Sequence, residues 1–370
     1  MKILHTGDIH LDSPFAGLPA KEAEARRRDV RETFSAMMKY AGDNGVDMVI
    51  IAGDLFESGF ATRETVARLR RDFSSLSCPV IITPGNHDPA DEAGIWKKNL
   101  FPDNVFVFTS PELSVFSFDD LNCDVYGWGF SSSVMTKTPL MGQLPEDEKK
   151  INILAGHCDT MSPVGNYCPT PTAALRAFGA DYCALAHIHN PENANTALTG
   201  IGAYCGCPEG RDFGECGPKG AILAEVEKKH HSCRFVRFSK RIYRKETLNT
   251  DGAADYSEIE SLVTDFCERE NISDDTLLRI TLTGRVSPSL VIDTDSLAEN
   301  IRGPFYTEIK DETCPMWDGT DLVSDRGIKG EVYRQLLPRL ESADPDERES
   351  ANRALRYALA ALAGENISDM

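Results

Sequence analysis

Five short apolar runs, each ending abruptly in histidine, aspartate or asparagine, constrain this chain more than any other feature. They cover residues 2–10, 48–54, 80–88, 151–157 and 184–189. Met48-Val49-Ile50-Ile51-Ala52 and Val80-Ile81-Ile82-Thr83 are apolar without alternation, the pattern of strands covered on both faces and paired in parallel. Between them, residues 21–40 carry Val30, Phe34, Met37 and Met38 at helical spacing, and residues 62–76 form a second helical segment opened by a threonine N-cap. Strand–helix alternation predicts an α/β fold, and in such sheets ligands gather beyond the carboxyl ends of the strands. All five polar termini fall there.

The rest of the chain is predicted from shorter signals. Residues 105–108, 114–118 and 123–128 read as strands of a second sheet packed on the first, and 131–150 as a polar surface loop. A short helix over 173–178 precedes the strand 182–186. Near residue 250, Asn249-Thr250-Asp251-Gly252 reads as a linker. Beyond it, helices at 257–270 and 294–301 and strands at 277–282, 289–292 and 305–309 predict a small α+β domain, followed by helices at 333–340 and 347–363. Three parts are therefore expected: 1–250, 251–325 and 326–370.

Charge and cysteine content bound the partners and the compartment. The net charge of −19 argues against nucleic acid, but residues 251–370 hold 26 acidic and 12 basic residues, whereas 1–250 hold 32 and 27. Residues 228–245 contain eight Lys or Arg and no acid, interleaved with Phe235, Phe238 and Tyr243. They read either as a strand pair with a solvated face or as a phosphate-backbone contact surface. No run approaches the roughly 20 apolar residues of a membrane span. The start of the chain enters a strand directly, so a cytoplasmic, membrane-free protein is expected. The eleven cysteines are odd in number and scattered through apparent strands, as expected of reduced core thiols. Cys205, Cys207 and Cys216 fit no structural zinc spacing.

The strand-end residues able to bind a metal are Asp8, His10, Asp54, Asn86, His87, Asp88, His157, His187 and His189. His187 and His189 sit at i and i+2, so on a strand both rings face one side. Nitrogen and hard oxygen donors without cysteine suit Mn²⁺, Fe²⁺ or Zn²⁺. The set is too large for one tetrahedral ion. Two ions about 3.5–4 Å apart use it, clamping the attacking and leaving oxygens of a displacement at phosphorus.

Asp8-x-His10, Gly53-Asp54, Gly85-Asn86-His87-Asp88, Gly156-His157 and His187-x-His189 resemble, in order, the five motifs of the calcineurin-like metallophosphoesterases, over about residues 1–225. Asp8-Ile9-His10-Leu11-Asp12-Ser13-Pro14-Phe15, Gly53-Asp54-Leu55-Phe56, and Pro208-Glu209-Gly210-Arg211 followed by Lys219-Gly220 further resemble the SbcD-like nuclease subunits of double-strand-break repair. The resemblance implies a four-layer α/β/β/α sandwich with a small α+β capping domain and C-terminal helices. It also implies two divalent metals, most simply Mn²⁺. Asp8, His10 and His189 would hold the first, and Asn86, His157 and His187 the second, with Asp54 bridging. His87 would stabilise the scissile phosphate or protonate the leaving oxygen, with Asp88 orienting it from behind. Arg211 follows a Gly-rich bend, where it could meet a substrate phosphate or form an ordinary ion pair. Ala186 departs from the family, which usually has Gly there.

The function implied is a metal-dependent DNA exo/endonuclease. Its candidate partners are DNA, an SbcC-like coiled-coil ATPase, and a second copy of the chain in a homodimer; the terminal helices would either dock on that ATPase or simply finish the fold. The same centre would also serve a phosphodiesterase or phosphatase for nucleotides or small phosphoesters. A DNA-end-binding scaffold with a vestigial centre is the non-enzymatic alternative. His5, inside the first strand, is read as a core histidine.

Overall fold

In the computed structural model, which describes residues 1–58, 61–92, 94–287, 290–315 and 319–363, successive side chains of each apolar strand go to two different cores. β1 (Lys2–Thr6), β2 (Met48–Ile51), β3 (Val80–Ile82) and β4 (Val105–Val107) run parallel. α1 (Ala20–Asp43) and α2 (Arg63–Ser74) connect them on one face. Thr62 caps α2 as expected, its hydroxyl accepting from Thr65 N at 3.1 Å.

β5 (Ser114–Phe118), β6 (Cys123–Gly127), β7 (Ile151–His157), β8 (Tyr182–Ala186) and β9 (Gly202–Tyr204) form the second sheet in chain order. α3 (Thr172–Phe178) and α4 (Glu192–Ala197) lie on its outer side. The chain then returns to the first sheet. β10 (Gly220–Glu227) pairs antiparallel with β1, and β11 (His230–Arg237) pairs antiparallel with β10 as the edge strand.

Three cores separate four layers. Ile3, Met48, Ile50 and Ile81 meet Val125, Ile153, Tyr182 and Ala184 between the two sheets. The alternate residues Leu4, Val49, Ile51 and Ile82 meet Phe34 and Met37 of α1 and Leu69 and Phe73 of α2. Leu154, Cys183 and Leu185 meet Leu175 and Phe178 of α3 on the far side. Each such fully buried side chain contributes about 1.5–3 kcal/mol. The α/β/β/α sandwich expected from the sequence is thus present.

The chain divides into two compact units, Met1–Tyr243 and Arg244–Met370. In the second, β12 (Ile242–Asn249), β13 (Thr276–Thr283) and β15 (Tyr306–Asp311) form a sheet, while β14 (Arg285–Val286) pairs with β16 (Cys314–Pro315). α5 (Tyr256–Arg269) and α6 (Thr294–Asn300) bury Ile259, Val263, Phe266 and Leu297 against Leu278 and Ile280 of β13. α7 (Gly319–Ser324), α8 (Ile328–Leu340) and α9 (Pro345–Ala363) follow, joined by a cluster containing Leu322, Leu355 and Leu359.

Two local expectations change. The basic stretch does not form a strand pair with itself: β11 extends the first sheet, whereas β12 belongs to the sheet of β13. No strand forms at 290–292, and Ser289 of that expected strand lies outside the described residues. All eleven cysteines are free.

Candidate metal centre

The site begins as backbone geometry. The chain leaving β1 is stitched to the chain leaving β2 by Asp8 N to Gly53 O (3.0 Å), Ile9 N to Asp54 O (2.9 Å) and His10 N to Asp54 O (3.0 Å). These bonds hold Asp8, His10 and Asp54 each at φ 49° and, across the second sheet, His187 sits at φ 108°. Left-handed backbone at non-glycine residues costs of order 1–3 kcal/mol each and persists only where the surroundings enforce it. Here it turns four side chains of the expected set back over the strand ends.

The rings and carboxylates then converge. His10 Nε2 lies 3.4 Å from His189 Nε2, and His189 Nε2 lies 3.6 Å from Asp8 Oδ1. Asp8, His10 and His189 thus offer three donor atoms around one point. Asp8, Asp54 and His157 form a second such group, with His157 Nε2 3.3 Å from Asp54 Oδ2 and 3.0 Å from Asn86 Oδ1. The His187 ring stands beside that of His157, centroids 5.1 Å apart. Its backbone N–H donates to Asp8 Oδ2 at 3.0 Å.

Charge makes this a cation site. Asp8 and Asp54 are 1% and 2% exposed. Among the described residues only histidines, and no lysine or arginine, lie within ion-pair distance of either. Burial by itself would lower the His157 pKa, but the carboxylates of Asp54 and Asp8 raise it to about 9. Burial and the neighbouring His157 lower His187 to about 4, so its ring is neutral and open for coordination. Buried carboxylates facing imidazole nitrogens, with no lysine or arginine among the described residues to neutralise them, fit divalent metal ions.

An outer layer was not legible in the motifs. Glu57 Oε2 lies 3.0 Å from His10 Nδ1 and its Oε1 3.5 Å from His87 Nδ1. Glu215 Oε1 lies 2.6 Å from His189 Nδ1. Burial works to raise the Glu215 carboxyl, yet the His189 ring and Arg211 outweigh it and hold it at about 2. Arg211 joins the two acids, donating to Glu57 Oε2 at 3.2 Å and to Glu215 Oε1 at 3.3 Å. Its guanidinium is therefore engaged in ion pairs with both. Carboxylates behind the rings orient the imidazoles. Glu57 follows the Gly53-Asp54 pair by three residues, which was the one signal available for it.

Asp88 also takes a different post from the one expected. Its carboxylate accepts from Gly85 N (2.8 Å), Leu55 N (2.9 Å) and Phe56 N (3.2 Å), tying the loops after β2 and β3 together. The group that meets the His87 ring is Glu57. Asp54 Oδ1 accepts from His87 N at 2.9 Å, placing His87 directly beside Asp54. At Ala186, the methyl occupies the space left by Gly7, where a Cβ would come within 2.5 Å of it. In the basic stretch, Lys228, Lys240, Arg241 and Arg244, four of its eight Lys and Arg, pair with Asp181, Glu32, Asp29 and Glu246.

A four-layer sandwich with imidazoles and carboxylates gathered over its strand ends defines a metal-dependent phosphoesterase. Residues 1–191 match the calcineurin-like phosphoesterase family, and the chain belongs to it. It is 26% identical over 296 residues to the uncharacterized metallophosphoesterase YhaO of Bacillus subtilis, covering 77% of this chain and 72% of that one. Against a subunit of the nuclease SbcCD from Staphylococcus epidermidis it is 24% identical, covering 54% and 59%. Against the DNA double-strand break repair protein Mre11 of Saccharolobus solfataricus it is 23% identical, covering 94% and 92%. Membership implies metal-dependent phosphoester hydrolysis. No helix among the described residues is long and apolar enough to cross a membrane.

Proposed function

We propose that the chain is a DNA exo/endonuclease subunit of an SbcCD-like repair complex, working with two divalent ions, Mn²⁺ by preference. The observation that carries the reading is two adjoining donor groups, Asp8–His10–His189 and Asp8–Asp54–His157, at the strand ends of a phosphoesterase sandwich, with Asp54 Oδ2 between them, 3.8 Å from His10 Nε2 and 3.3 Å from His157 Nε2. Likeness to the SbcCD nuclease and to Mre11 supports the choice of DNA.

In this reading Asp8, His10 and His189 hold one cation, Asn86, His157 and His187 hold the other, and Asp54 serves both. Bound cations neutralise the phosphodiester and polarise its oxygens. His87, side chain 38% exposed, keeps Nδ1 toward Glu57 and leaves Nε2 for the phosphate or the leaving oxygen. It lines a cavity of about 670 Å³ together with Asn86 and Tyr167. Residues 251–325 are assigned as the capping domain, and their acidic balance leaves the grip on DNA to residues 1–250. The terminal helices of residues 326–370 are assigned to a coiled-coil ATPase partner.

The test supplies Mn²⁺ with linear duplex DNA, single-stranded DNA and a nitrophenyl phosphodiester. Cleavage of DNA, lost by two or more orders of magnitude in Asp54→Ala and His87→Ala, is expected. Turnover of the small ester alone overturns the nuclease reading in favour of small phosphoesters. Full cleavage by both variants overturns the site assignment.

A further inference from the structure

The first sheet is wider than the second on one side, and this leaves a cavity that the catalytic reading does not use. The second sheet ends at β9, while β10 and β11 continue the first sheet beyond it. On β10 the inward-facing Ile222, Ala224 and Val226 are still buried in the core between the sheets, but on β11 the residues of that face lose this cover. Ile222 of β10 pairs with Phe235 of β11, and Ala224 with Cys233, so Phe235 and Cys233 fall on one face of the edge strand. Phe235 is 51% exposed and Cys233 is exposed. Together they line a cavity of about 600 Å³, within the range of small-ligand sites.

One wall holds a buried cation. Lys219 lines the cavity and is 7% exposed. Its ammonium donates to Asn190 Oδ1 at 2.6 Å. No carboxylate among the described residues lies within ion-pair distance of it. An ammonium has three donors, and a buried charge without a counterion is costly. The carboxylate that borders the cavity, Glu192, is exposed. The cavity therefore offers an anion-binding end at Lys219 and an aromatic face at Phe235.

We propose that this cavity binds a small phosphomonoester carrying a planar base, a nucleoside monophosphate, with its phosphate on Lys219 and its base against Phe235. The cavity lies beside the metal centre and shares His189 with it as a lining residue. Because Lys219 holds Asn190, the neighbour of His189, an occupant is placed to sense or bias the His187-x-His189 turn. The inference does not depend on DNA being the substrate.

Cys233 gives a readout specific to this cavity. Full-length protein is treated with N-ethylmaleimide, with and without dAMP, and modification is mapped by peptide mass spectrometry. The expected result is at least fivefold slower modification of Cys233 with dAMP and unchanged modification of exposed Cys314. Lys219→Met and, independently, Phe235→Ala are expected to weaken the protecting concentration by about tenfold and threefold. Inorganic phosphate and deoxyadenosine should each protect less than dAMP. A 5′-phosphorylated oligonucleotide arm distinguishes the sources: protection at lower concentration than dAMP assigns the site to a strand end, and weaker protection assigns it to the free nucleotide. Absence of protection by both, or protection undiminished in both variants, overturns the proposal whatever the outcome of the nuclease assay.

Discussion

His5 shows how a single side chain can be chemically notable and structurally ordinary. It is fully buried, its Nδ1 2.8 Å from Tyr182 Oη and its Nε2 3.1 Å from Leu185 O. A carbonyl only accepts, so Nε2 carries the proton and Nδ1 accepts from the tyrosine. Burial lowers its pKa to about 3. The folded state therefore resists protonation that the unfolded chain accepts near 6.5. Its contribution to stability is full above that pH and falls by about 1.4 kcal/mol per pH unit as pH drops toward 3. In urea titrations from pH 8 to pH 4, the stability gap between the wild type and His5→Gln is expected to narrow steadily below pH 6.5. A constant gap would mean that His5 titrates normally in the fold. The same scale explains what the sequence made legible. Asp8, His10, Asp54, Asn86, His157, His187 and His189 interrupt apolar runs at strand exits, so their convergence follows from the topology. Glu57, Glu215 and the diversion of Arg211 do not, because loop residues declare no direction until the loops are packed.

At the scale of elements, two glycines let the strand ends approach each other. Gly53 sits at φ +112°, and a Cβ there would lie 2.2 Å from His157 Nδ1. A Cβ on Gly85 would lie 2.2 Å from Asp54 Oδ1. Gly85→Ala should therefore cost about 1–3 kcal/mol through overpacking. It should also remove at least half of the Mn²⁺-induced rise in Tm, because Asp54 must move. Equal metal-induced rises in wild type and variant, read by scanning fluorimetry, would show that Asp54 is not a ligand. A second element-scale tie runs from α1 to the loop before β10. Arg26, fully buried, donates to Asp29 Oδ2 (3.0 Å), Glu209 Oε2 (2.7 Å) and Gly210 O (3.0 Å). Breaking one partner of a buried pair typically costs about 3–5 kcal/mol. Glu209→Gln should lose that order of unfolding free energy in urea and loosen the turn that carries Arg211. A loss below about 1 kcal/mol would make the pair dispensable. β2, β3, β7 and β8 were readable because two-sided burial writes itself as unbroken apolar sequence, whereas the short β9 was not. The partners of β11 and β12 were not, since polar alternation gives a strand its faces but not its neighbour.

For the whole molecule, the consequence of the site is a stability that depends on metal and is confined to one unit. Asp8 and Asp54 place buried negative charge at the ends of β1 and β2, in a chain whose net charge is already −19. Ions that bind only the folded protein stabilise it by about 2.7 kcal/mol each at one hundred times their dissociation constant. For a unit of this size that is a Tm rise on the order of 5–10 °C per ion. The donor groups all lie within Met1–Tyr243, while the core of the second unit, built on β13 and α5, contains none of them. Hydrogen exchange on chelator-stripped protein, with and without Mn²⁺, separates the two. Slower exchange is expected at the exits of β1, β2, β3, β7 and β8 when Mn²⁺ is added, with β13 and α5 unchanged. Protection spread evenly over both units would point to nonspecific binding by surface carboxylates. No protection at the five strand exits would mean that the histidines and carboxylates gathered there do not hold a metal.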